Sequence, residues 1–597
     1  MIYLGLWNVR NVSRDISNKI HNLTLILKQY TSAEPSFIAK NNFTLVYGKP
    51  YPQQDMDQIW ESDSTVLIGR IFDKERNTIV EPKEFKQYSQ ELKQDLTRKV
   101  WGKYVYWLLD NTNMLEVMVD PTGQLPCFYY TLPNGELLFA SHIDLISQCL
   151  PSNLEYNWSY LCSYLFYGSS CAMQTPFKGL EEISPGCVLS ATQSNQKIRS
   201  FWNPCSTIDI PSPVGNAVNV LQSVLKPMID PYQNVCVSLS GGLDSSSLVY
   251  CLNEIKRSNQ KLTAFNHFHS DVKSSNELHY ARKVCEEVGI ELIEVDISET
   301  LPFDTYCDDQ DLKLNKPFPG CINIASINKW KNHLPTKDSC IFLSGQGSDH
   351  IFMRPPTQMS IADYLLTQGT QGLVRKIKEV THFYRDALTP VLTQNAGGLI
   401  RYLFAQKLDK RGSRSPQGKL PHWLTKKVHQ YKTSKFIHPV YWDLPSRILP
   451  GKYQQMNALY AGLASVHVNI YKQYPEQYPF LCEPMMKFAF SFATYDLFQK
   501  GYDRYPLRQA VSSHFHTHTV WRRDKGQTTG IIQLGVKKNI DYVMELCLEG
   551  ELVRQGFIDP KKLHQTILLI SNGDAKNLWP FIHLSSIEIF LKTWSQK

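Results

Sequence analysis

A short run of serines and glycines with one aspartate has the residue types that bind the phosphates of a nucleotide. The run consists of Ser240, Gly241, Gly242, Leu243, Asp244, Ser245 and Ser246. Its glycines allow a sharp turn that brings backbone N–H groups close to a ligand, and a helix beginning there would direct its positive end to the same point. The run lacks the Gly-Lys-Ser/Thr ending of a Walker A loop, which favours binding of pyrophosphate over γ-phosphoryl transfer. The alternative is a Ser/Gly turn that only caps a helix.

Alternating strands and helices surround this run and would have to position it. The pattern predicts strands at Val235–Leu239, Leu262–Phe268, Ile290–Ile297 and Cys340–Leu343, and helices at Ser245–Ile255, Glu277–Val288 and Ile324–Leu334. Such alternation is typical of a parallel sheet that binds ligands at the carboxyl ends of its strands. From Ser360 onward the pattern is mostly helical.

The first 205 residues have a different, β-rich pattern. Short strands are predicted at Thr65–Gly69, Tyr104–Leu109, Leu115–Val119 and Leu137–Ala140, separated by turn signals such as Asp120-Pro121-Thr122-Gly123. A linker rich in proline and serine follows at residues 203–213. We therefore predict two domains, residues 1–205 and residues 206–597.

The composition of the 597-residue chain excludes several classes of protein. The net charge of +8 is concentrated in residues 401–435, where ten Lys or Arg face one acid, so a generally basic nucleic-acid-coating surface is excluded. That stretch could be a solvated loop, or a lid or groove that attracts a peptide. No apolar run approaches the ~18 residues needed to span a membrane. The fourteen cysteines include no CxxC pair and the N-terminus shows no secretory signal, so a cytoplasmic protein is expected.

The motifs together resemble those of a known superfamily. The serine- and glycine-rich run is similar to the PP-loop of ATP pyrophosphatases, and Leu343-Ser344-Gly345-Gln346-Gly347-Ser348-Asp349 resembles the SGxGSD segment of the asparagine synthetase B superfamily. The resemblance implies ATP and Mg²⁺ as cofactors, with Asp244 and Asp349 as the metal carboxylates and Gly345 near the nucleotide. Trp521-Arg522-Arg523-Asp524-Lys525 is similar to a family stretch whose lysine contacts the reacting centre, which implies a catalytic role for Lys525.

The N-terminal half resembles the class II glutaminase domain, with one departure. The similarity rests on segments such as Gly102-Lys103-Tyr104 and Phe177-Lys178-Gly179-Leu180. Glutaminases of this type use a cysteine at position 2, but Ile2 stands here and no cysteine precedes Cys127. The expected fold is thus an α+β, glutaminase-like (Ntn-type), β-rich sandwich without the catalytic cysteine, followed by an α/β parallel-sheet PP-loop synthetase domain with a helical C-terminal part.

If the chain makes no ammonia, the amine must come from the substrate. The chain looks most like lasso-peptide cyclases, which adenylate an Asp or Glu side chain of a ribosomal peptide and join it to the peptide's N-terminal amine, releasing AMP and pyrophosphate. Gln346 stands where ammonia-using relatives have a glutamate, and an N-terminal amine with a pKa of about 7.7–8.0 tolerates the loss of that base. The implied partners are a precursor (core) peptide, a leader-peptide protease and a leader-recognition protein.

Two other hypotheses about the function remain open from the sequence alone. One is a small-molecule amide or lactam synthetase, such as a β-lactam-synthetase-like enzyme or an asparagine synthetase that uses free ammonia. The other is a non-enzymatic or RNA-directed relative, because some PP-loop enzymes modify tRNA. The localised charge and the glutaminase-like half count against RNA, so no nucleic-acid partner is expected.

Overall fold

The structure is a computed structural model that describes most of the chain. The described residues are 1–8, 16–40, 42–50, 57–82, 96–109, 113–168, 173–207, 216–304, 313–335, 339–357, 359–384, 388–403, 421–431, 438–442, 444, 448–466, 476–523 and 526–595. Lys525 and most of the basic stretch 401–435 lie outside them, so the predictions made for both remain predictions.

The N-terminal half is built on two antiparallel six-stranded sheets. One has the strand order β10-β8-β9-β1-β3-β2 and the other β12-β11-β7-β6-β5-β4. The strand bounds are β1 Ile2–Trp7, β2 Ser36–Lys40, β3 Phe43–Gly48, β4 Gln58–Ser62, β5 Thr65–Asp73, β6 Val100–Leu109, β7 Leu115–Val119, β8 Phe128–Thr131, β9 Leu137–Ala140, β10 Leu180–Glu182, β11 Cys187–Ala191 and β12 Gln196–Ser200. The four predicted strands are confirmed.

The two sheets pack face to face, as the sandwich prediction requires. Tyr3 on β1 meets Trp107 on β6 edge to face, with ring centroids 5.3 Å apart. Both rings are buried in a cluster that draws on both sheets, and such aromatic contacts stabilise a core beyond the area they bury. The helices of this half are α1 Ile16–Lys28, α2 Leu96–Lys99, α3 Ile143–Gln148 and α4 Trp158–Tyr167.

The C-terminal half contains a parallel five-stranded sheet with the order β15-β14-β13-β16-β17. Its strands are β13 Asn234–Ser238, β14 Lys261–Phe268, β15 Glu291–Asp296, β16 Cys340–Leu343 and β17 Glu476–Gln477. Val235 of the central strand pairs with Leu262 on one side and with Ile341 on the other. Because the strands are parallel, the loops after β13 and β16 leave the same edge of the sheet.

Helices complete the second half, and most of them begin at Ser360 or later, as predicted. They are α5 Ala217–Ile229, α6 Leu243–Ile255, α7 Leu278–Val288, α8 Ile324–Lys331, α9 Ser348–Ile351, α10 Ser360–Gln368, α11 Leu373–Tyr384, α12 Leu388–Leu403, α13 Lys426–Gln430, α14 Pro450–Val466, α15 Glu483–Ser491, α16 Tyr505–Phe515, α17 Thr529–Lys538, α18 Ile540–Leu548, α19 Glu551–Arg554, α20 Pro560–Ser571 and α21 Leu578–Ser595. Among the described residues no helix combines the length and apolar character required to cross a membrane.

Helix α7 has the hydrophobic periodicity from which it was predicted. Leu278, Ala281, Val284 and Cys285 form its buried face, which is the spacing of an amphipathic helix. The helix ends at Gly289, whose φ of 70° lies in the left-handed region that glycine adopts without strain. The predicted helix is confirmed.

The two halves are joined by one buried and one partly buried polar contact. Arg70 on β5 donates from Nη2 to the Tyr232 hydroxyl at 2.8 Å, and Lys74 pairs with Glu483 on α15 at 2.9 Å. Buried polar groups without partners are costly, so these pairs fix one half against the other. The N-terminal half is therefore an integral support for the second half.

Candidate active site

The serine- and glycine-rich run forms the turn between β13 and α6, as its sequence predicts. The backbone N–H of Ser240 donates to the Ser245 hydroxyl at 3.2 Å, and the N–H of Gly242 donates to the Ser240 hydroxyl at 3.3 Å. Gly242 is the residue that caps α6. The positive end of α6 and the two hydroxyls thus face one point, which suits an anion.

Gly241 brings this turn against the first turn of α7. Its φ of 69° is left-handed, and a Cβ at this position would lie 2.5 Å from the Cβ of Tyr280 and 2.7 Å from the backbone N of Ala281. A side chain is therefore excluded by backbone conformation and by space at once. Gly241 shapes the turn from behind, since it does not line the cavity described below.

The second predicted segment follows β16 and packs directly onto the first. A Cβ on Gly345 would lie 2.8 Å from the backbone N of Ser245, so only glycine allows the two turns to approach this closely. Gln346 is exposed and donates from its amide to the Ser465 hydroxyl at 3.0 Å. Asp349 stands on α9. The sheet edge thus brings the two predicted turns together.

Asp244 and Asp349 converge on one guanidinium. Nη1 of Arg504 lies 2.5 Å from Oδ2 of Asp244 and 2.5 Å from Oδ1 of Asp349. The two carboxylate oxygens are therefore at most twice that distance apart. The Arg504 side chain is 2% exposed, while the aspartates are 17% and 32% exposed and reach the cavity.

The carboxylate pair fits Mg²⁺, which binds few protein carboxylates and takes its other ligands from phosphates and water. No group of three or more His, Cys, Asp or Glu side chains that could hold a metal forms in the described part of the chain. The pair would therefore supply two of the ligands, and a nucleotide would supply others.

A third carboxylate holds the arginines in place. Asp503 accepts from Nη2 of Arg508 at 2.9 Å and from Nε of Arg504 at 3.3 Å. Burial alone would raise the pKa of Asp503, but the charges of Arg504 and Arg508 hold that pKa below its ordinary value. Burial likewise opposes the charge on Arg504, and the charges of Asp244, Asp349 and Asp503 more than offset it, which raises the Arg504 pKa. Both shifts favour the charged forms of Asp503 and Arg504 at neutral pH.

Arg522 lies beside the first turn. Its Nη2 lies 2.5 Å from Oε1 of Glu277 and its guanidinium stacks over the ring of Tyr280 at 4.0 Å. A Cβ built on Gly242 would lie 3.7 Å from the same Nη2. A planar cation held in this way is suited to phosphate oxygens.

These elements surround a cavity of about 610 Å³, within the range of small-molecule sites. The predicted site residues that line it are Ser240, Gly242, Leu243, Asp244, Ser245, Gly345 and Asp349. Ser246 does not line it and is buried within α6. The five arginines of its wall are Arg354, Arg504, Arg508, Arg522 and Arg523. Together they give the cavity cationic walls that suit a polyphosphate.

The sequence reasoning missed several of these residues. Arg504 and Arg508 are not among the predicted site residues, and the contacts of Arg504 with the two predicted metal carboxylates join segments far apart in the sequence. Glu277 and Tyr280 carry no motif signal, because their role depends on how α7 packs against the turn. Glu476 and Gln477, which were also not predicted as a strand, form the edge strand β17, and residues 479–481 turn after it.

The N-terminal half has no nucleophile at the position that a glutaminase would use. Ile2 is 4% exposed within β1. Cys127 is fully buried, and burial raises the pKa of its thiol to about 12, so the thiol is protonated at neutral pH. Asp57 is also buried and pairs with Lys103 at 2.9 Å. Cys127 is packed in the core and Asp57 is ion-paired, so neither residue is arranged to attack glutamine.

Comparison with known proteins agrees with the two halves. The family described as "Asparagine synthase" matches residues 221–596, and the "Glutamine amidotransferase domain" matches residues 85–202. The chain is 22% identical to the "Microcin J25-processing protein McjC" of Escherichia coli over 51% of this chain and 50% of that protein.

Two further curated proteins are similar over shorter spans. Identity is 25% to "Asparagine synthetase [glutamine-hydrolyzing] 3" of Bacillus subtilis, over 44% of this chain and 45% of that protein. Identity is 23% to "Amidase chyE" of Penicillium rubens, over 27% of this chain and 25% of that protein. The alignments span half or less of these relatives. The asparagine synthase match, however, covers more than half of this chain and includes both predicted turns. The chain belongs to the asparagine synthase family.

Proposed function

We propose that the protein is an ATP-dependent amide-forming ligase that closes a macrolactam ring in a ribosomal lasso peptide. The observation that carries this proposal is the convergence of Asp244 and Asp349 beside a serine- and glycine-rich turn in one cationic cavity. The names of two relatives support it, since one processes microcin J25 and the other is an asparagine synthetase. The domain boundary near residue 205 is part of the same proposal.

The reaction would have two steps. A side-chain carboxylate of the peptide attacks the α-phosphate of ATP, and pyrophosphate leaves. The peptide's N-terminal amine then attacks the acyl-adenylate carbon, the bond to AMP breaks, and the amine loses a proton. Mg²⁺ bound to the two aspartates would supply neutralisation of phosphate charge. We assign the phosphates to Ser240, Gly242 and Ser245, and the stabilisation of negative charge in the second step to Lys525.

The substrate itself is proposed as the source of the amine. Ile2 offers no nucleophile for glutamine hydrolysis, and the Cys127 thiol is buried. Gln346 is a hydrogen-bond donor and acceptor and cannot serve as a base, which a neutral N-terminal amine does not require. Binding amine and ester in one cavity could supply up to about 7–11 kcal/mol by removing the entropy cost of a bimolecular step.

The proposed partners follow from the peptide substrate. A precursor peptide carries a leader that a protease and a leader-recognition protein would handle, and these two partners are proposed from the likeness to the microcin-processing protein alone. We propose the cytoplasm as the location, because ATP is the cosubstrate and the cysteines of the sequence include no CxxC pair.

The proposal is tested by incubating the purified protein with ATP, Mg²⁺ and a synthetic linear core peptide. We expect the peptide to lose the mass of one water, with AMP and pyrophosphate formed in equal amounts. An acetylated N-terminus should stop ring closure and leave adenylation intact, whereas an Asp/Glu-to-Asn/Gln peptide should stop both. Formation of ADP would contradict the proposed chemistry.

An asparagine-synthetase-like reaction on free ammonia is the second candidate, and the identity to the Bacillus subtilis enzyme favours it. It predicts that aspartate and ammonium, without peptide, give AMP, pyrophosphate and asparagine. AMP formation that depends on aspartate and is unaffected by the peptide would favour this candidate over the cyclase.

A further inference from the structure

One nitrogen of Arg504 stands where a metal ion would have to bind. Nη1 contacts one oxygen of Asp244 and one oxygen of Asp349 at 2.5 Å each. A magnesium ion would need oxygens at about 2.0–2.1 Å around the same point. The guanidinium and the ion therefore cannot occupy the position together.

We propose that Arg504 is an internal counter-ion that holds the cation position between Asp244 and Asp349 until a nucleotide arrives, so that the divalent metal binds only together with the nucleotide. This inference rests on the proposed function, because it assumes that ATP phosphates enter this cavity. It goes further by assigning the order of binding to one residue.

The charges of the site argue for coupled binding. Two carboxylates and one guanidinium leave one negative charge, and the Arg504 side chain is 2% exposed. A divalent ion that entered alone would displace a buried guanidinium from its two strongest partners, leaving only Asp503, which Arg508 shares. Leaving a buried charge poorly paired costs several kcal/mol. A nucleotide brings phosphate oxygens, with which a guanidinium forms strong bidentate pairs.

The phosphates, as the alternative partner of the Arg504 guanidinium, would bind in the cavity that Arg504 itself lines. Arg504 lines the same cavity as Ser240 and Gly242 of the first turn, where the phosphates are proposed to bind. The displaced guanidinium would therefore move within the cavity and would not have to leave it. The backbone of Arg504, at φ 50°, lies in the left-handed region, which is uncommon for a residue with a side chain and is found more often at functional sites.

The test uses Mn²⁺ as the probe and free Mn²⁺ measured by electron paramagnetic resonance. Without nucleotide, we expect Arg504→Met to bind one Mn²⁺ at least about tenfold more tightly than the unmodified protein, since a neighbouring unit charge commonly alters a carboxylate's proton affinity by that factor. The matched control is Arg523→Met, which removes a positive charge from the same cavity wall; Arg523 stacks over Tyr502 at 4.4 Å. Its Mn²⁺ affinity should stay unchanged.

Two results would overturn the inference. One is equally tight Mn²⁺ binding by the unmodified protein and by Arg504→Met. The other is an equal gain in the Arg523 variant, which would indicate a general charge effect. If Arg504→Met does not fold, the unmodified protein decides: saturable Mn²⁺ binding should appear only with α,β-methylene-ATP, and binding without the analogue would refute the inference. Failure of the analogue to bind at all would refute the proposed function instead, because the nucleotide-free Mn²⁺ titrations do not depend on it.

Discussion

The side chain of Glu277 accepts a hydrogen bond from the backbone N–H of Gly526 at 2.9 Å. The same Oε1 accepts one from Nη2 of Arg522 at 2.5 Å. Glu277 is the N-cap residue of helix α7, whose Tyr280 packs against Gly241 of the first turn. The Glu277 carboxylate therefore links the helix behind the proposed phosphate site to Arg522 and Gly526, which lie on either side of Lys525 in the sequence.

Glu277→Gln should lower turnover with little change in the free energy of unfolding. The amide cannot neutralise Arg522, so Arg522 and Gly526 lose their common anchor. We expect a loss of about 10–100-fold, the size seen when the partners that orient metal ligands are removed. Steady-state kinetics should show the loss mainly in kcat, with the KM for ATP within about threefold. Glu286→Gln, an exposed change on the same helix, should behave like the unmodified protein. An unchanged kcat in Glu277→Gln would mean that the anchor has no functional role.

Asp244→Asn and Asp349→Asn should each abolish ATP–pyrophosphate exchange. Each change removes one of the two carboxylates that converge on the cation position, and we expect a loss of at least about 100-fold, comparable to removal of other charge-stabilising groups at active sites. Asp541→Asn, an exposed change on α18, is the control. Full exchange activity in either site variant would show that the metal assignment is wrong.

Lys525→Ala should separate the two proposed steps. If Lys525 acts only as the amine attacks, the variant should bind ATP normally and retain pyrophosphate exchange, while ring closure falls by about 100-fold or more. Mass spectrometry of the peptide and radiolabel exchange report the two steps independently. Equal loss of both activities would assign the lysine to nucleotide binding.

Much of the fold could be predicted because its signals are local. The strands β13, β14 and β16 and the helices α6 and α7 follow hydrophobic period and turn residues, which need only neighbouring positions in sequence. The contacts around Arg504 depend on segments 260 and 155 residues apart. No periodicity encodes a pairing over such distances, so the sequence yields the two aspartates and leaves out the arginine between them.

The short strand β17 illustrates the same limit. Its two residues pair with Phe342 and Leu343 of β16. A strand of two residues is too short to show an alternation of apolar and polar side chains. Tertiary pairing alone determines it.

Gly241→Ala tests whether the first turn needs close packing as well as a left-handed backbone. Gly289→Ala is the matched control, because Gly289 has nearly the same φ (70° against 69°) but nothing within 4 Å of an added Cβ. The control should cost about 1–2 kcal/mol of unfolding free energy through backbone strain and leave ATP binding intact. Gly241→Ala should cost more and weaken ATP binding at least about tenfold, since Tyr280 or the turn must move. Equal behaviour of the two variants would exclude the packing role.

His583 should make the protein sensitive to mild acid. It lies on α21 beside Tyr164 of α4, with ring centroids 5.5 Å apart, so it sits where the two halves meet. Burial lowers the pKa of His583 to about 4, below the roughly 6.5 of an unfolded chain. The unfolded state therefore binds the proton first, and the stability due to the neutral ring is present above pH 6.5 and lost as the pH falls towards 4.

Chemical denaturation at pH 7 and pH 5 measures this effect. The unfolding free energy should fall by about 1–2 kcal/mol between the two pH values through this residue. His583→Gln should be less stable than the unmodified protein at pH 7 but should show a correspondingly smaller fall, because the glutamine does not titrate. The exposed His564→Gln should keep the full dependence on pH. If His583→Gln lost as much stability on acidification as the unmodified protein, the acid sensitivity would have to come from other groups, of which buried His142, with its pKa lowered to about 4 by burial, is the next to test.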